Sequence, residues 1–227
     1  DAIDLADLDA RMLDFAGRYV VEGTLGEGGM GKVQACHDRV IGREVAVKLM
    51  LPELAASREA LARFVREARV QGQLEHPSVV PVHDLGVRGD GNVFFTMQRV
   101  RGRALDVILS DGDLTLRQLL TAFGRVCLAV DFAHRRSVVH RDLKPANIML
   151  GDFGEVYVLD WGVAKTGAAD AGLTLDPNDV EVDELQTLAG AVVGTPGYLA
   201  PECIGEGADV LDSRADIFAL GAILFEI

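Results

Sequence analysis

Residues 138–165 read VVHRDLKPANIMLGDFGEVYVLDWGVAK, and this stretch decides the fold. It contains two Asp-x-Gly triplets, Asp152-Phe153-Gly154 and Asp160-Trp161-Gly162. Apolar runs at 148–150 and 156–159 flank the first triplet, and a glycine lies on each side of its first two residues. Short apolar runs joined by a glycine-rich connection are typical of a β-hairpin. The first triplet is therefore predicted to be a turn.

This hairpin separates the two triplets in space. Asn147 precedes its first strand and Asp160 follows its second, so both are expected at the open end. Asp152 is expected at the turned end, roughly 15 Å away at about 3.3 Å per residue. Oxygen ligands lie about 2.1 Å from Mg²⁺, so Asp152 cannot share such an ion with Asn147. The geometry favours Asp160 as the partner of Asn147.

Size, charge and cysteine usage set limits on the class of protein. The 227 residues suffice for one large domain or two small lobes. A net charge of −13 argues against non-specific binding to nucleic acid or to an anionic membrane. Three scattered cysteines without a CxxC pair favour reduced thiols in the cytoplasm. The apolar run 217–227 is about half the length of a membrane span, which predicts a buried helix and no membrane segment within this chain.

The texture of the chain changes near residue 100. Before it, short β-rich segments predict strands at 19–25, 32–38, 43–50, 79–87 and 93–100. One helix is predicted at 57–74, with an apolar stripe that includes Leu61, Phe64, Val65 and Ala68. After residue 100, helical spacing dominates, at 116–136 and again at the C-terminal end. The predicted fold is α+β and bilobal, with a five-stranded antiparallel N-lobe and a mainly helical C-lobe. Residues 1–17 are loosely helical and are interpreted as an N-terminal extension.

A glycine-rich loop joins the first two predicted strands, with the sequence Gly26-Glu27-Gly28-Gly29-Met30-Gly31-Lys32-Val33. A Rossmann or Walker A loop needs a helix after the glycines, and here strands continue. The remaining pattern is GxGxxGxV on a β-hairpin, whose backbone N–H groups can approach phosphate oxygens closely. A plain glycine-rich turn remains the alternative.

Lys48 ends the apolar strand VAVK, where a lysine is costly to bury without a partner. Nucleotide phosphates and an acid on the next helix are both plausible partners. The helix offers Glu59 and Glu67, of which Glu67 lies far enough along to return to Lys48.

Taken together, these motifs resemble a known family. GEGGMGKV, VAVK, Glu67, HRDLKPAN, the Asp160 triplet, GTPGYLAPE and the Asp216 segment SRADIFALG occur in its order over residues 24–224. The chain resembles the catalytic domain of a bacterial eukaryotic-like (Hanks-type) serine/threonine protein kinase. The domain would cover 18–227, with an N-lobe at 18–100 and a C-lobe at 101–227.

The resemblance implies an active site for ATP-dependent phosphorylation of Ser and Thr hydroxyls on protein substrates. Asp142 would accept the hydroxyl proton, Lys144 would steady the γ-phosphate, and Asn147 and Asp160 would hold Mg²⁺ or Mn²⁺. Lys48, paired with Glu67, would hold phosphates. The implied ATP-binding set is Leu25, Gly26, Glu27, Gly28, Gly29, Met30, Gly31, Val33, Ala46, Lys48, Met97, Gln98 and Val100.

Further expectations concern support and regulation. Trp161 stands where the family usually has Phe, and should pack against His140 and need a partner for its indole N–H. Asp216 should accept hydrogen bonds from the backbone of His140 and Arg141. Thr195 would favour Ser/Thr acceptors. A phosphate on Thr187, or as a second choice Thr174, would pair with Arg141 and order the activation loop after autophosphorylation in a self-associated pair.

Two alternative functions belong to other classes of protein. A pseudokinase scaffold is disfavoured because all the catalytic residue types are present. A small-molecule phosphotransferase is disfavoured because GTPGYLAPE builds a protein-substrate platform.

The chain starts without Met and stops inside its apolar run. It is therefore interpreted as a C-terminally truncated fragment that is expected to be impaired as an enzyme, and the full-length protein leaves room for a membrane anchor beyond residue 227.

Overall fold

The computed structural model describes residues 15–161, 165–166, 197–203 and 213–227. Within them the chain forms two compact units. The first holds the described residues up to Ala68 together with Pro81–Val100, and the second holds Arg69–Val80 and the residues from Arg101 onward.

The first unit is built on a five-stranded antiparallel sheet. Its strands are β1 (Tyr19–Glu27), β2 (Gly31–Asp38), β3 (Arg43–Met50), β4 (Val82–Val87) and β5 (Val93–Gln98), in the order β1-β2-β3-β5-β4. Two helices accompany it, α1 (Phe15–Arg18) and α2 (Arg58–Gln73). The predicted number and type of strands are confirmed. The fourth strand begins later than predicted because Pro81 has no N–H to donate to the ladder.

Alternation along β3 gives the sheet two apolar faces. Val45, Val47 and Leu49 are buried in one cluster with Phe94. The opposite face carries Met50, which is buried in a second cluster with Phe95, Phe64 and Ala68, the last two on α2. The periodic stripe predicted for α2 therefore packs against the sheet.

The second unit is mainly helical. It contains α3 (Leu105–Asp111), α4 (Leu116–His134) and α5 (Arg214–Glu226). Thr115 and Gln118 form a capping box at the start of α4, which explains why the helix begins there. The core of this unit includes Val126 and Val130 of α4 and Ile223 of α5. No helix among the described residues is long and apolar enough to cross a bilayer.

Short strands complete this unit. β6 (Gly102–Ala104), β8 (Ile148–Gly151) and β9 (Val156–Val158) form a three-stranded sheet in the order β6-β8-β9. β7 (Val138–Val139) pairs antiparallel with β10 (Lys165–Thr166). Ile148 and Val158 are fully buried in the core, so the β8–β9 hairpin is fixed from one side by packing.

Candidate active site

The β8–β9 hairpin has the predicted register. Ile148 pairs with Val158 and Leu150 with Val156. One step further out, the backbone N–H of Leu159 donates to the carbonyl of Asn147 at 2.8 Å. Asn147 therefore lies at the open end, with Asp160 as the next residue on the facing segment.

The turned end of the hairpin holds the other triplet. Gly151 N–H donates to the carbonyl of Glu155 at 2.8 Å, and Gly154 N–H donates to the carbonyl of Gly151 at 3.1 Å. Asp152 lies inside this turn and is exposed. The triplet that spells Asp-Phe-Gly is thus a surface turn, separated from Asn147 by the full length of the hairpin.

Asp160 lies in an uncommon backbone conformation. Its φ is 61°, in the left-handed region. Aspartate tolerates this region better than most residues because its short polar side chain can make local hydrogen bonds. Arg141 is also left-handed, with φ 71°. Two left-handed residues within these motif segments are consistent with a functional site, where such backbone strain concentrates.

Asp142, Lys144 and Asn147 come together as a hydrogen-bonded group. Lys144 Nζ lies 2.7 Å from Asp142 Oδ2. The side-chain amide of Asn147 donates to the carbonyl of Asp142 at 2.8 Å and to its Oδ2 at 3.2 Å. Because these bonds commit the amide nitrogen of Asn147, its side-chain oxygen is the atom suited to ligate a cation.

Asp216, in the first turn of α5, anchors the segment before Asp142. Its carboxylate accepts from the backbone N–H of His140 and of Arg141, both at 2.8 Å. Both hydrogen bonds were predicted from the sequence and are confirmed. The carboxylate also lies 2.7 Å from His134 Nε2, at the end of α4, a contact that sequence reasoning missed.

The same contacts govern the protonation of Asp216, which is 1% exposed. Burial raises its pKa, but the hydrogen bond from His134, the nearby His140 and the two backbone N–H groups outweigh burial. The pKa of Asp216 therefore lies below its ordinary value. An ionised carboxylate is the form that can accept all these donors.

His140 and Trp161 pack against each other and contact the end of the second strand of the hairpin. Their rings pack with centroids 4.7 Å apart. His140 Nε2 lies 2.9 Å from the carbonyl of Leu159, and its Nδ1 accepts from the backbone N–H of Asp142 at 3.3 Å. The indole N–H of Trp161 donates to the carbonyl of Val158 at 3.3 Å. The predicted packing on His140 and the predicted need for an indole partner are both confirmed.

In the first unit, Lys48 forms an ion pair with Glu67. The pair joins β3 to α2, and its side chains are 14% and 2% exposed. Glu67 is thus the partner of Lys48, as favoured from the sequence over Glu59. A buried carboxylate and a largely buried ammonium stabilise each other here, and the ammonium keeps limited access to solvent.

The glycine loop divides into glycines that the fold requires and glycines that it does not. A Cβ on Gly31 would lie 2.7 Å from the carbonyl oxygen of Leu49, so only glycine fits. At Gly26 and Gly29 a Cβ would meet nothing within 4 Å. Protein packing does not explain those two, whereas a ligand that needs close approach to backbone N–H groups would. The loop therefore fits a phosphate-bearing ligand.

The residues expected around adenine lie on neighbouring strands of the same sheet. Ala46 of β3 pairs with Met97 of β5, and Val33 of β2 pairs with Lys48. The backbone N–H of Gln98 donates to the carbonyl of Pro81 at 3.0 Å. This N–H is engaged within the protein, so any recognition by Gln98 would use its carbonyl group.

Of the regulatory residues predicted from the sequence, Arg141 is described by the structure and the threonines are not. Thr174, Thr187 and Thr195 lie outside the described residues. Among the residues that are described, no three His, Cys, Asp or Glu side chains cluster as a metal site. Mg²⁺ commonly takes one or two protein ligands and completes its shell with phosphate oxygens and water, so Asn147 and Asp160 fit that ion.

Comparison with known proteins identifies the family. The protein kinase domain model matches residues 19–227, and the chain belongs to this family. The five-stranded sheet of one unit and the helices of the other agree with its fold.

Three relatives show the likeness. The serine/threonine-protein kinase PknD of Chlamydia trachomatis serovar D is 34% identical over 231 residues, covering 92% of this chain and 24% of the relative. PknD of Chlamydia pneumoniae is 36% identical over 225 residues, with the same coverage of both proteins. A probable serine/threonine-protein kinase of Corynebacterium efficiens is 40% identical over 217 residues, covering 93% of this chain and 31% of the relative. The chain thus spans about a quarter to a third of these relatives.

Proposed function

We propose that this chain is the catalytic domain of an ATP-dependent serine/threonine protein kinase. The observation that carries the proposal is the group formed by Asp142, Lys144 and Asn147, with Asp160 beside Asn147 at the open end of the hairpin. Family membership and the names of the relatives support the same reaction. Phosphoryl transfer needs an oriented nucleophile and cations near the phosphates, which is what these residue types supply.

Asp142 is the proposed catalytic base. Its carboxylate accepts the proton of a Ser or Thr hydroxyl on a protein substrate. Asn147 and Lys144 both contact Oδ2 of Asp142, and the Asp216 carboxylate holds the preceding backbone, so its position is fixed. Lys144 places a positive charge next to the base, where negative charge on the transferred group must be stabilised.

The proposed metal ligands belong to the second unit. Asn147 Oδ1 and the Asp160 carboxylate would ligate Mg²⁺ or Mn²⁺. A bound metal ion neutralises charge on the nucleotide phosphates. The glycine loop would hold phosphates with backbone N–H groups, and Lys48 would contact them while Glu67 keeps its ammonium in place.

The finer elements of the proposal concern substrates and regulation. Protein substrates carry Ser or Thr acceptors, and Thr195 belongs to the segment that would receive them. Autophosphorylation in a self-associated pair would place a phosphate on Thr187, and the Arg141 guanidinium would bind it.

A paired substitution tests the function and the choice of triplet together. Transfer of labelled phosphate from ATP to dephosphorylated casein is measured for the wild type, with small hydroxyl compounds as alternative acceptors. Asp160→Asn should reduce transfer at least about a hundredfold, since electrostatic stabilisation of the transition state is lost. Asparagine also tolerates the left-handed backbone, so the fold should survive.

Asp152→Asn is the matched control. It changes the exposed triplet in the same way and should keep most of the activity. Loss of activity in the control alone would reverse the assignment of the triplets. Wild-type transfer to small acceptors but not to casein would refute the protein-kinase proposal, and no transfer to any acceptor would refute catalysis.

A further inference from the structure

The short helix α1 lies just outside the part of the chain that matches the family. That match begins at Tyr19, whereas α1 covers Phe15–Arg18. Sequence reasoning assigned most of α1 to a loosely helical extension. In the structure its first and last side chains, Phe15 and Arg18, both contact the five-stranded sheet.

Phe15 adds an aromatic cover to one face of the sheet. Its ring meets Phe94 edge to face, with centroids 4.6 Å apart, and lies 5.2 Å from the ring of Tyr19. The Arg88 guanidinium lies 5.0 Å from the Phe15 centroid. A Cβ on Gly86 would come within 2.9 Å of the Phe94 ring, so glycine on β4 makes the room that Phe94 occupies. These contacts attach α1 to β1 and β5, and to Arg88 just after the end of β4.

Arg18 fastens the other end of α1. Its guanidinium donates two hydrogen bonds to Asp38, at 3.2 and 3.1 Å, and lies 3.6 Å from a carboxylate oxygen of Asp84. Asp38 ends β2 and Asp84 lies on β4, and two strands separate β2 from β4 in the sheet. Arg18 therefore links strands that share no backbone ladder.

Several hydrogen bonds hold the Asp38 carboxylate in place. Asp38 is fully buried and also accepts from the backbone N–H of Val40 and Ile41, in the turn before β3. Burial raises the pKa of Asp38, but the hydrogen bonds from Arg18 and Ile41 outweigh it and lower the pKa. A bidentate arginine fork on a buried carboxylate is a geometry that lysine cannot reproduce.

The position of these contacts matters because β3 carries Lys48. Val45, Val47 and Leu49 of β3 share the cluster against which Phe15 packs. Side chains alternate along a strand, so Lys48 points to the opposite face. There its ammonium lies 5.8 Å from the Phe95 centroid. α1 therefore packs on the face of β3 opposite to the face that carries the Lys48–Glu67 pair.

We propose that Phe15 and Arg18 are positioning residues for nucleotide binding. With Asp38, Asp84 and Phe94 they form a clasp, called here the N-terminal clasp, that holds β2, β3, β4 and β5 in one arrangement. The inference rests on the proposed function, since it assumes that Lys48 contacts a nucleotide. Phe15 and Arg18 lie outside the family match, whereas their partners Asp38, Asp84 and Phe94 lie inside it.

The test uses the full chain and two matched pairs of variants. Phe15→Ala is compared with Phe153→Ala, whose side chain is 93% exposed in the second unit. Arg18→Ala is compared with Arg39→Ala, which removes an exposed arginine. Calorimetry gives the dissociation constant of Mg-ADP at a temperature where every variant is folded, and thermal melting gives the stability.

Both clasp variants should weaken Mg-ADP binding about fivefold or more, which is typical of coupling between sites. They should raise the KM for ATP with little change in kcat, because Asp142 lies in the other unit. Their melting temperatures should fall by about 4–8 °C. Phe15→Tyr, which keeps the ring, should restore binding, and Arg18→Lys should behave like Arg18→Ala because it loses the fork.

Two results would overturn the inference in different ways. If the wild type binds Mg-ADP and the clasp variants bind it as tightly as their controls, the clasp is at most a stabilising contact and the positioning role is wrong. If the wild type binds no Mg-ADP, the proposed function fails and the positioning role fails with it.

Discussion

Replacing Asp216 by asparagine removes a charge that three donors share. The carboxylate accepts from His134, from the N–H of His140 and from the N–H of Arg141. Asparagine has nearly the same shape but a single acceptor oxygen, and its NH₂ group donates. At least one of the three donors must therefore lose its acceptor and face the NH₂ group of asparagine instead.

The cost can be worked from these contacts. A hydrogen bond to a charged group contributes about 1.5–3 kcal/mol, and leaving a buried N–H without an acceptor costs about 1–3 kcal/mol. Asp216→Asn should therefore destabilise the second unit by about 2.5–6 kcal/mol. A typical domain is stable by only about 5–15 kcal/mol, so the loss is large. Arg141, held at φ 71°, should relax toward an ordinary backbone conformation.

The assay is amide hydrogen exchange of residues 138–143, read by mass spectrometry, together with urea unfolding. Asp131→Asn is the matched control, because Asp131 lies on α4 in a solvent-exposed ion pair with Arg135. Surface pairs of this kind contribute about 0–1 kcal/mol. Faster exchange in Asp216→Asn but not in the control is expected. Unchanged exchange and a loss of stability below about 1 kcal/mol would refute the anchoring argument.

The pKa shift of Asp216 determines how the stability difference between the wild type and Asp216→Asn depends on pH. Its pKa in the folded chain is lower than the ordinary value of 3.8. A depressed carboxyl pKa stabilises the folded state fully above the unfolded pKa, and the effect is lost as pH falls toward the folded pKa. The stability gap between wild type and Asp216→Asn should be constant near neutrality and shrink below about pH 4. A gap that shrinks on raising the pH would contradict the sign.

Four further predictions follow from single positions. Gly31→Ala should cost about 1–3 kcal/mol of stability in a urea melt, since its Cβ would lie 2.7 Å from a carbonyl oxygen, while Gly29→Ala should leave stability unchanged. Burial raises the pKa of Cys36 to about 11, so iodoacetamide at pH 8 should label it only after unfolding; rapid labelling of the folded chain would contradict this. Trp161→Phe should lose about 1 kcal/mol through the missing indole hydrogen bond and keep transferase activity; an inactive but folded variant would show that the indole is required. Active protein should carry phosphate on Thr187 by mass spectrometry, and full activity of Thr187→Ala would remove the regulatory proposal.

Local patterns explain why the hairpin could be predicted from the sequence. Residues 148–150 and 156–159 are short apolar runs, and glycines bound the turn between them, so strand, turn and strand follow from short-range physics. The place of Asp160 beside Asn147 then follows from the length of the strands. The helix that carries Glu67 could also be predicted from the sequence, because its apolar residues recur at helical spacing.

Long-range contacts explain what the sequence could not reveal. His134 and Asp216 are separated by 82 positions, and nothing local marks them as partners. β6 has three residues, too few for a periodic signal, and pairs with β8 only because Gly102 lacks a Cβ, which would lie 2.0 Å from the carbonyl oxygen of Leu150. Arg18 reaches two strands that are distant in sequence. Such contacts depend on the packed sheet and not on any segment alone.

Trp161 is the single tryptophan of the chain and is 1% exposed in the core of the second unit. Its intrinsic fluorescence therefore reports on that unit, and the His140 ring beside it is a built-in quencher whose efficiency depends on ring distance. Far-ultraviolet circular dichroism instead averages over the backbone of both units. Coincident melting curves from the two signals would mean that the units unfold together, and separated curves would give each unit its own transition. One indole thus makes the cooperativity of the whole chain measurable without any label.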